Sequence, residues 1–219
     1  MEKERLADIS LKDIAITDKF WNKYRSLVKD VIIPYQWDTL NDNVPDAEPS
    51  HCIENFRIAA GEKTGEFAGA VFQDTDVAKW LEAVAYVLES QGRDEKLEKL
   101  ADETIDLIGR AQQPDGYLNT YFTIKEPDRR WTNLKEGHEL YTAGHMIEAA
   151  VAYYQATGKR KFLEIVMRFA DLISEKFGPE EGKCHGYPGH PEIELALVKL
   201  YRVTGKKNYL DTAKFFIDA

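Results

Sequence analysis

Histidines flanked by glycines are the residues of this sequence best suited to chemistry. His138 and His145 lie in Glu136-Gly137-His138-Glu139-Leu140-Tyr141-Thr142-Ala143-Gly144-His145, and His190 lies in Gly186-Tyr187-Pro188-Gly189-His190-Pro191-Glu192. Proline suits the first position of a helix, so the His190 ring is expected at a helix N-terminus. The positive end of the helix dipole favours a neutral imidazole there, one that can donate or accept a hydrogen bond with a hydroxyl. The bland alternative for each is helix capping. Two such histidines at the starts of successive helical hairpins shift the reading towards a site for a hydroxylated ligand. His138 and His145 are seven apart and near one helical face, but metal-binding pairs usually sit at i, i+4 with a third ligand in sight, and the sequence has no HExxH. No metal site is expected within the chain.

Carboxylates offer a second chemistry. Asp74 and Asp76 could serve as the acid and base of glycoside hydrolysis, although at a helix start the dipole and the N-cap explain them more simply. In Arg110–Phe122 the turn Pro114-Asp115-Gly116 is followed by Tyr117, Asn119, Thr120 and Tyr121 in a short extended stretch. Such a stretch can stack on the apolar face of a sugar and pair its hydroxyls, or it can pack its tyrosines onto the protein. Trp131, beside Arg129 and Arg130, leaves the same two readings open.

The elements that position these residues are helices. Ile9, Leu11, Ile14 and Ile16 alternate as in a strand; a helix is then expected from Phe20 to Ile33, with Asp18 as N-cap and Pro34 as its stop. A loop follows over Asn41–Ser50. Helical periodicity runs through 77–90, 94–109, 145–157, 160–173, 191–203 and 209–217, giving about seven helices in all. Three junctions repeat one form, a helix ending at Gly92, Gly158 or Gly205 followed by a short charged turn and a second amphipathic helix. Repeated hairpins of this kind imply a solenoid or a closed helical toroid. Their spacing is too uneven for a regular array, with long inserts between hairpins, which favours a toroid whose inserts build a pocket.

Composition narrows the partners. With 29 basic and 38 acidic residues the net charge is −9, and no basic patch offsets it, so nucleic acid and anionic membranes are not expected partners. Cys52 and Cys184 stand far apart and form no ligand-spaced cluster or disulfide framework. The start, MEKERLADIS, has no apolar core of a leader, and no long apolar run follows, so a soluble, cytoplasmic chain is expected.

Six segments in order, YQWDTLND (35–42), NFRIAAG (55–61), GAVFQDTDVAKWLEA (69–83), QQPDGYLNTYF (112–122), EGHELYTAGHMIEAAVAYYQATG (136–158) and HGYPGHPEIELALVKLYRVTG (185–205), resemble glycoside hydrolase family 127. The resemblance covers nearly the whole chain. It implies an all-α (α/α)6 barrel that removes non-reducing-end β-L-arabinofuranosyl units with retention of configuration. In that family a zinc-bound cysteine thiolate is the nucleophile and a glutamate the acid/base, in motifs that lie beyond the equivalent of Ala219. No catalytic residue and no cofactor are therefore assigned to this chain, and zinc is expected only in a full-length member. What the resemblance carries over is sugar binding, by His138 and His190, with Gln36, Asp74 and Trp80 in pocket-lining segments. Residues 1–219 are thus expected to be the N-terminal part of the barrel domain, ending before the catalytic cysteine region and inactive alone. The last helix is expected to expose Tyr209, Leu210, Phe215, Phe216 and Ile217, a face through which the chain could associate. The rival readings are another α/α-barrel enzyme, such as an unsaturated glucuronyl hydrolase or an epimerase-like protein, and a non-catalytic helical-repeat scaffold.

Overall fold

The computed structural model describes residues 9–219; the stretch Met1–Asp8, read above for a leader, lies outside them. Among the described residues there are helices and no strand, only an isolated bridge between Phe177 and Cys184. The expected N-terminal strand is absent. Leu11–Asp13 forms a 3-10 turn capped by the Ser10 hydroxyl, and Ile9, Ile14 and Ile16 are exposed, since alternation without a partner strand leaves the ladder unpaired.

Helix α1 (Lys19–Leu27) starts as expected, with the Asp18 carboxylate accepting from the Trp21 N–H at 2.8 Å. It does not stop at Pro34. The chain passes through a π-helical stretch, Val28–Ile32, into α2 (Ile33–Leu40), and Pro34 stands in the first turn of α2. Proline lacks an N–H and its ring crowds the carbonyl one turn back; the wider π turn removes both conflicts, so the helix re-registers rather than ends. Helix α3 (Cys52–Ala59) is too short to show a period in the sequence, and it buries Cys52, Ile53, Asn55 and Phe56.

Three hairpins follow: α4 (Asp74–Gln91) with α5 (Glu95–Ala111), α7 (Glu139–Thr157) with α8 (Lys161–Lys176), and α9 (Ile193–Thr204) with α10 (Lys207–Asp218). The short α6 (Thr120–Ile124) sits in the insert between the first two. Gly158 and Gly205 end their helices in the left-handed conformation, their N–H groups donating to the carbonyls of Tyr154 and Tyr201. Gly92 has a positive φ but extended ψ, so it leaves the helix rather than capping it.

The hairpins stack in two layers. Helix α7 is buried on nearly every side between α4 and α9, whereas α5 and α8 each bury one stripe and turn charged residues outward. The inner helices α4, α7 and α9 run side by side, and α8 packs against α5 and α10 in the outer layer. This is the layering of an α/α toroid, with the N-termini of the inner helices on one rim. The last helix is not the apolar face expected from its sequence. Tyr209 and Phe216 are buried, because the Tyr209 hydroxyl donates to Asp171 at 2.8 Å and Phe216 packs on Phe177 at 5.4 Å; Ile217 stays exposed. The exposed apolar stripe runs instead along α1 and α2, through Phe20, Tyr24, Val31 and Tyr35.

Candidate functional site

His138 is the N-cap of α7 and adopts a left-handed backbone, φ 54°. This turns its ring over the end of the helix rather than along its side. Its Nδ1 lies 2.7 Å from the Glu136 carbonyl oxygen. A carbonyl only accepts, so Nδ1 carries the proton, and in that neutral tautomer Nε2 is the acceptor. His190 has the same arrangement, with Nδ1 donating to the Gly189 carbonyl at 2.7 Å. It precedes the helix rather than starting it: α9 begins at Ile193 with Glu192 as N-cap, and Pro191 lies in the turn before it. The two imidazoles, 52 residues apart in sequence (190 − 138), stand edge to face with ring centres 4.8 Å apart.

Glycines allow that approach. A Cβ on Gly144 would come within 2.6 Å of Glu192 Cγ and 3.1 Å of the Glu192 and Ile193 backbone, so the start of α9 rests directly on α7. A Cβ on Gly189 would meet the Lys135 carbonyl oxygen at 2.6 Å, and the Gly189 N–H donates to the Leu134 carbonyl. The segment carrying His190 is thereby stitched to the segment carrying His138.

Around the pair lie groups that the sequence reading did not assign to a site. Tyr141 sits one turn below His138 and takes a hydrogen bond from Lys79 Nζ at 3.2 Å. Phe72, 41% exposed, lies 5.1 Å from the His138 ring. One turn below Tyr141, His145 Nδ1 is 3.4 Å from Glu192 Oε1. Burial first, then the Lys79 charge, pushes the His145 pKa down to about 4, so the ring is neutral here and makes no ion pair with Glu192. A signal for these residues was present in the sequence. His138, Tyr141, His145 and Glu148 recur at helical spacing along one face of α7.

The other sequence candidates lie elsewhere. Asp74 is 2% exposed, and both its oxygens are occupied by Thr120, the backbone N–H at 2.7 Å and the hydroxyl at 2.5 Å. Burial raises its pKa to about 6. It anchors the insert to the start of α4. Trp80 is buried: its indole N–H donates to the Ile33 carbonyl at 3.1 Å, its ring packs on Trp37, and both tryptophans line a cavity with Lys29, Asp94 and Leu97 rather than with the histidines. Gln36 is exposed on α2, and no hydrogen bond or ring contact joins it to the histidines. Tyr117 is fully buried against Trp131 and Phe169 and donates to Glu139, so the packing reading of the insert applies to it. Glu139 also accepts from the Trp131 N–H at 2.7 Å, and burial raises its pKa to about 7. The two buried carboxylates, at the first turns of neighbouring inner helices, hold the 112–131 insert onto the rim.

The model of the GH127 β-L-arabinofuranosidase catalytic domain matches residues 13–219. The chain belongs to the GH127 family. A non-reducing-end β-L-arabinofuranosidase of Bifidobacterium longum subsp. longum is 47% identical, over 94% of this chain and 34% of the relative. A GH127 β-L-arabinofuranosidase from Geobacillus stearothermophilus T6 superposes with a TM-score of 0.92 at 65% identity, over 94% of this chain and 32% of its own. A GH127 β-arabinofuranosidase of known structure gives 0.88 at 39%, over 96% and 33%. The chain thus spans about a third of the length of these relatives, and the GH127 fold, an α/α barrel, accounts for its two helical layers.

Zinc, implied by the family, does not fit the donors present. Cys52 is buried and donates to the Gln73 carbonyl at 3.3 Å, and burial pushes its thiol pKa well up. Among the described residues no group of three histidines, cysteines or carboxylates could hold a metal ion. No described helix is long and apolar enough to cross a membrane.

Proposed function

We propose that this chain forms the sugar-binding rim of a non-reducing-end β-L-arabinofuranosidase, with His138 and His190 contacting one terminal arabinofuranosyl unit. The paired imidazoles at the rim carry this reading. In each, the Nδ1 hydrogen bond to a backbone carbonyl leaves Nε2 to accept from a hydroxyl. Two acceptors on rings 4.8 Å apart suit hydroxyls on one sugar ring, and Phe72 offers an apolar surface beside them. A hydrogen bond of this kind is worth about 0.5–1.5 kcal/mol net. The nucleophile and acid/base would come from polypeptide outside residues 1–219.

The reading is tested by titrating the chain with methyl β-L-arabinofuranoside while following histidine ring signals by NMR. Saturable shifts at His138 and His190 are expected, with H138A and H190A each weakening binding about tenfold, the equivalent of about 1.4 kcal/mol. The chain alone should not hydrolyse p-nitrophenyl β-L-arabinofuranoside. Turnover by the chain, or a titration that leaves both histidines unmoved, would overturn the proposal.

A further inference from the structure

The hydrogen bonds at Nδ1 choose a tautomer for His138 and His190 but do not lock the rings. Each acceptor is a carbonyl of the adjoining loop, one or two residues back in the chain, and it moves with the histidine it binds. What holds the two rings in one arrangement must belong to a rigid element that touches both.

Tyr141 meets that description. It is on α7, three residues after His138, so it stands on the same helical face one turn down. Its ring is edge to face with His138 at 5.8 Å, with His190 at 5.2 Å and with His145 at 4.5 Å. Edge-to-face is one of the favoured contacts between aromatic rings, preferred to a face-to-face sandwich, so a ring meeting several others this way restricts the plane of each. Tyr141 is itself held from α4. Lys79 Nζ donates to its phenol oxygen at 3.2 Å, reaches Thr75 Oγ1 at 3.5 Å and lies over the ring at 5.4 Å. From below, His145 lies against Glu192, the N-cap residue of α9, its Nδ1 3.4 Å from Oε1. Three inner helices therefore converge on one tyrosine, and that tyrosine is the common wall for the two rim imidazoles.

We propose that Tyr141, tied down by Lys79, is the positioning residue that presents His138 and His190 as one sugar-facing pair. It acts through the histidines and is not assigned a contact with the sugar. The proposal rests on the reading of the histidines as sugar contacts, and the test separates the two.

The test compares Tyr141→Phe, Tyr141→Leu and Lys79→Met with the parent chain. Two readouts are taken: the nuclear Overhauser effect between the His138 and His190 ring protons, and the affinity for methyl β-L-arabinofuranoside. The Phe variant, which keeps the ring, should keep the cross-peak and bind within about threefold of the parent. The Leu variant keeps most of the volume without an aromatic plane; it should lose the cross-peak and bind about tenfold more weakly, with its remaining amide spectrum unchanged. Lys79→Met should weaken both readouts by an intermediate amount without altering any group at the rim. A cross-peak and affinity unchanged in both Tyr141→Leu and Lys79→Met would refute the positioning role while leaving the sugar-binding reading intact. A parent chain that shows the cross-peak and its dependence on Tyr141, yet no sugar binding, would refute the sugar-binding reading and leave the positioning role standing. If Tyr141→Leu does not fold, an unchanged cross-peak and affinity in Lys79→Met alone overturn the proposal.

Discussion

Replacing Asp74 by asparagine should change how the stability of the protein depends on pH. The carboxyl is 2% exposed and its pKa is raised from 3.8 to about 6, chiefly by burial. In the window between those values the folded state binds more protons than the unfolded state, so wild-type stability falls as pH rises through it. A tenfold change in proton affinity is worth about 1.36 kcal/mol, and the loss attributable to this group is therefore on the order of 3 kcal/mol by pH 7.5. Asparagine keeps an acceptor for the Thr120 N–H and can donate to the Thr120 hydroxyl, but it does not titrate. Relative to wild type, Asp74→Asn should therefore gain up to about 3 kcal/mol between pH 4 and pH 7.5. Asp74→Ala instead strands a buried N–H and a buried hydroxyl; it should cost about 2–5 kcal/mol at the acid end, and less above pH 6, where the buried charge has also gone. Urea unfolding followed by circular dichroism at pH 4.5, 6 and 7.5 measures all three proteins. Parallel profiles for wild type and Asp74→Asn would refute the argument that burial of this carboxyl governs its ionisation.

Gly144→Val should cost about 2–3 kcal/mol, because the new side chain is driven into the Glu192 and Ile193 backbone; Gly144→Ala should cost less, since alanine regains about 1 kcal/mol of helix propensity. In the valine variant the cross-peak between the His138 and His190 rings should vanish, and its persistence at full strength would show that the close approach of α9 to α7 does not place His190. Tyr117→Phe removes a buried donor to Glu139 and should destabilise by about 1–3 kcal/mol. With one fewer donor the carboxylate form of Glu139 is less favoured, so the loss should be larger at pH 8 than at pH 5, and urea unfolding at the two pH values checks the sign.

Much of this protein is legible in its sequence. Apolar periodicity marks the six long helices of the three hairpins, and Gly158 and Gly205 mark two of the turns, because these signals are local: a helix shows its buried stripe, and a left-handed cap needs a glycine. The order of the GH127-like segments identifies the family, and the glycine-flanked histidines point to the rim. Tertiary structure decided the rest. It lets the helix continue past Pro34 through a π turn, which depends on the register of the whole segment rather than on the proline. It buries Tyr209 and Phe216 against α8 and leaves the apolar stripe on α1 and α2 exposed, since amphipathicity says that a face is apolar and not which neighbour covers it. It engages Asp74 with Thr120 and Trp80 with Ile33, partners 46 and 47 residues away that no local pattern reveals. The separation of His138 from His190 is likewise a tertiary quantity, because two rings from successive inner helices meet only where Gly144 lets α9 settle onto α7.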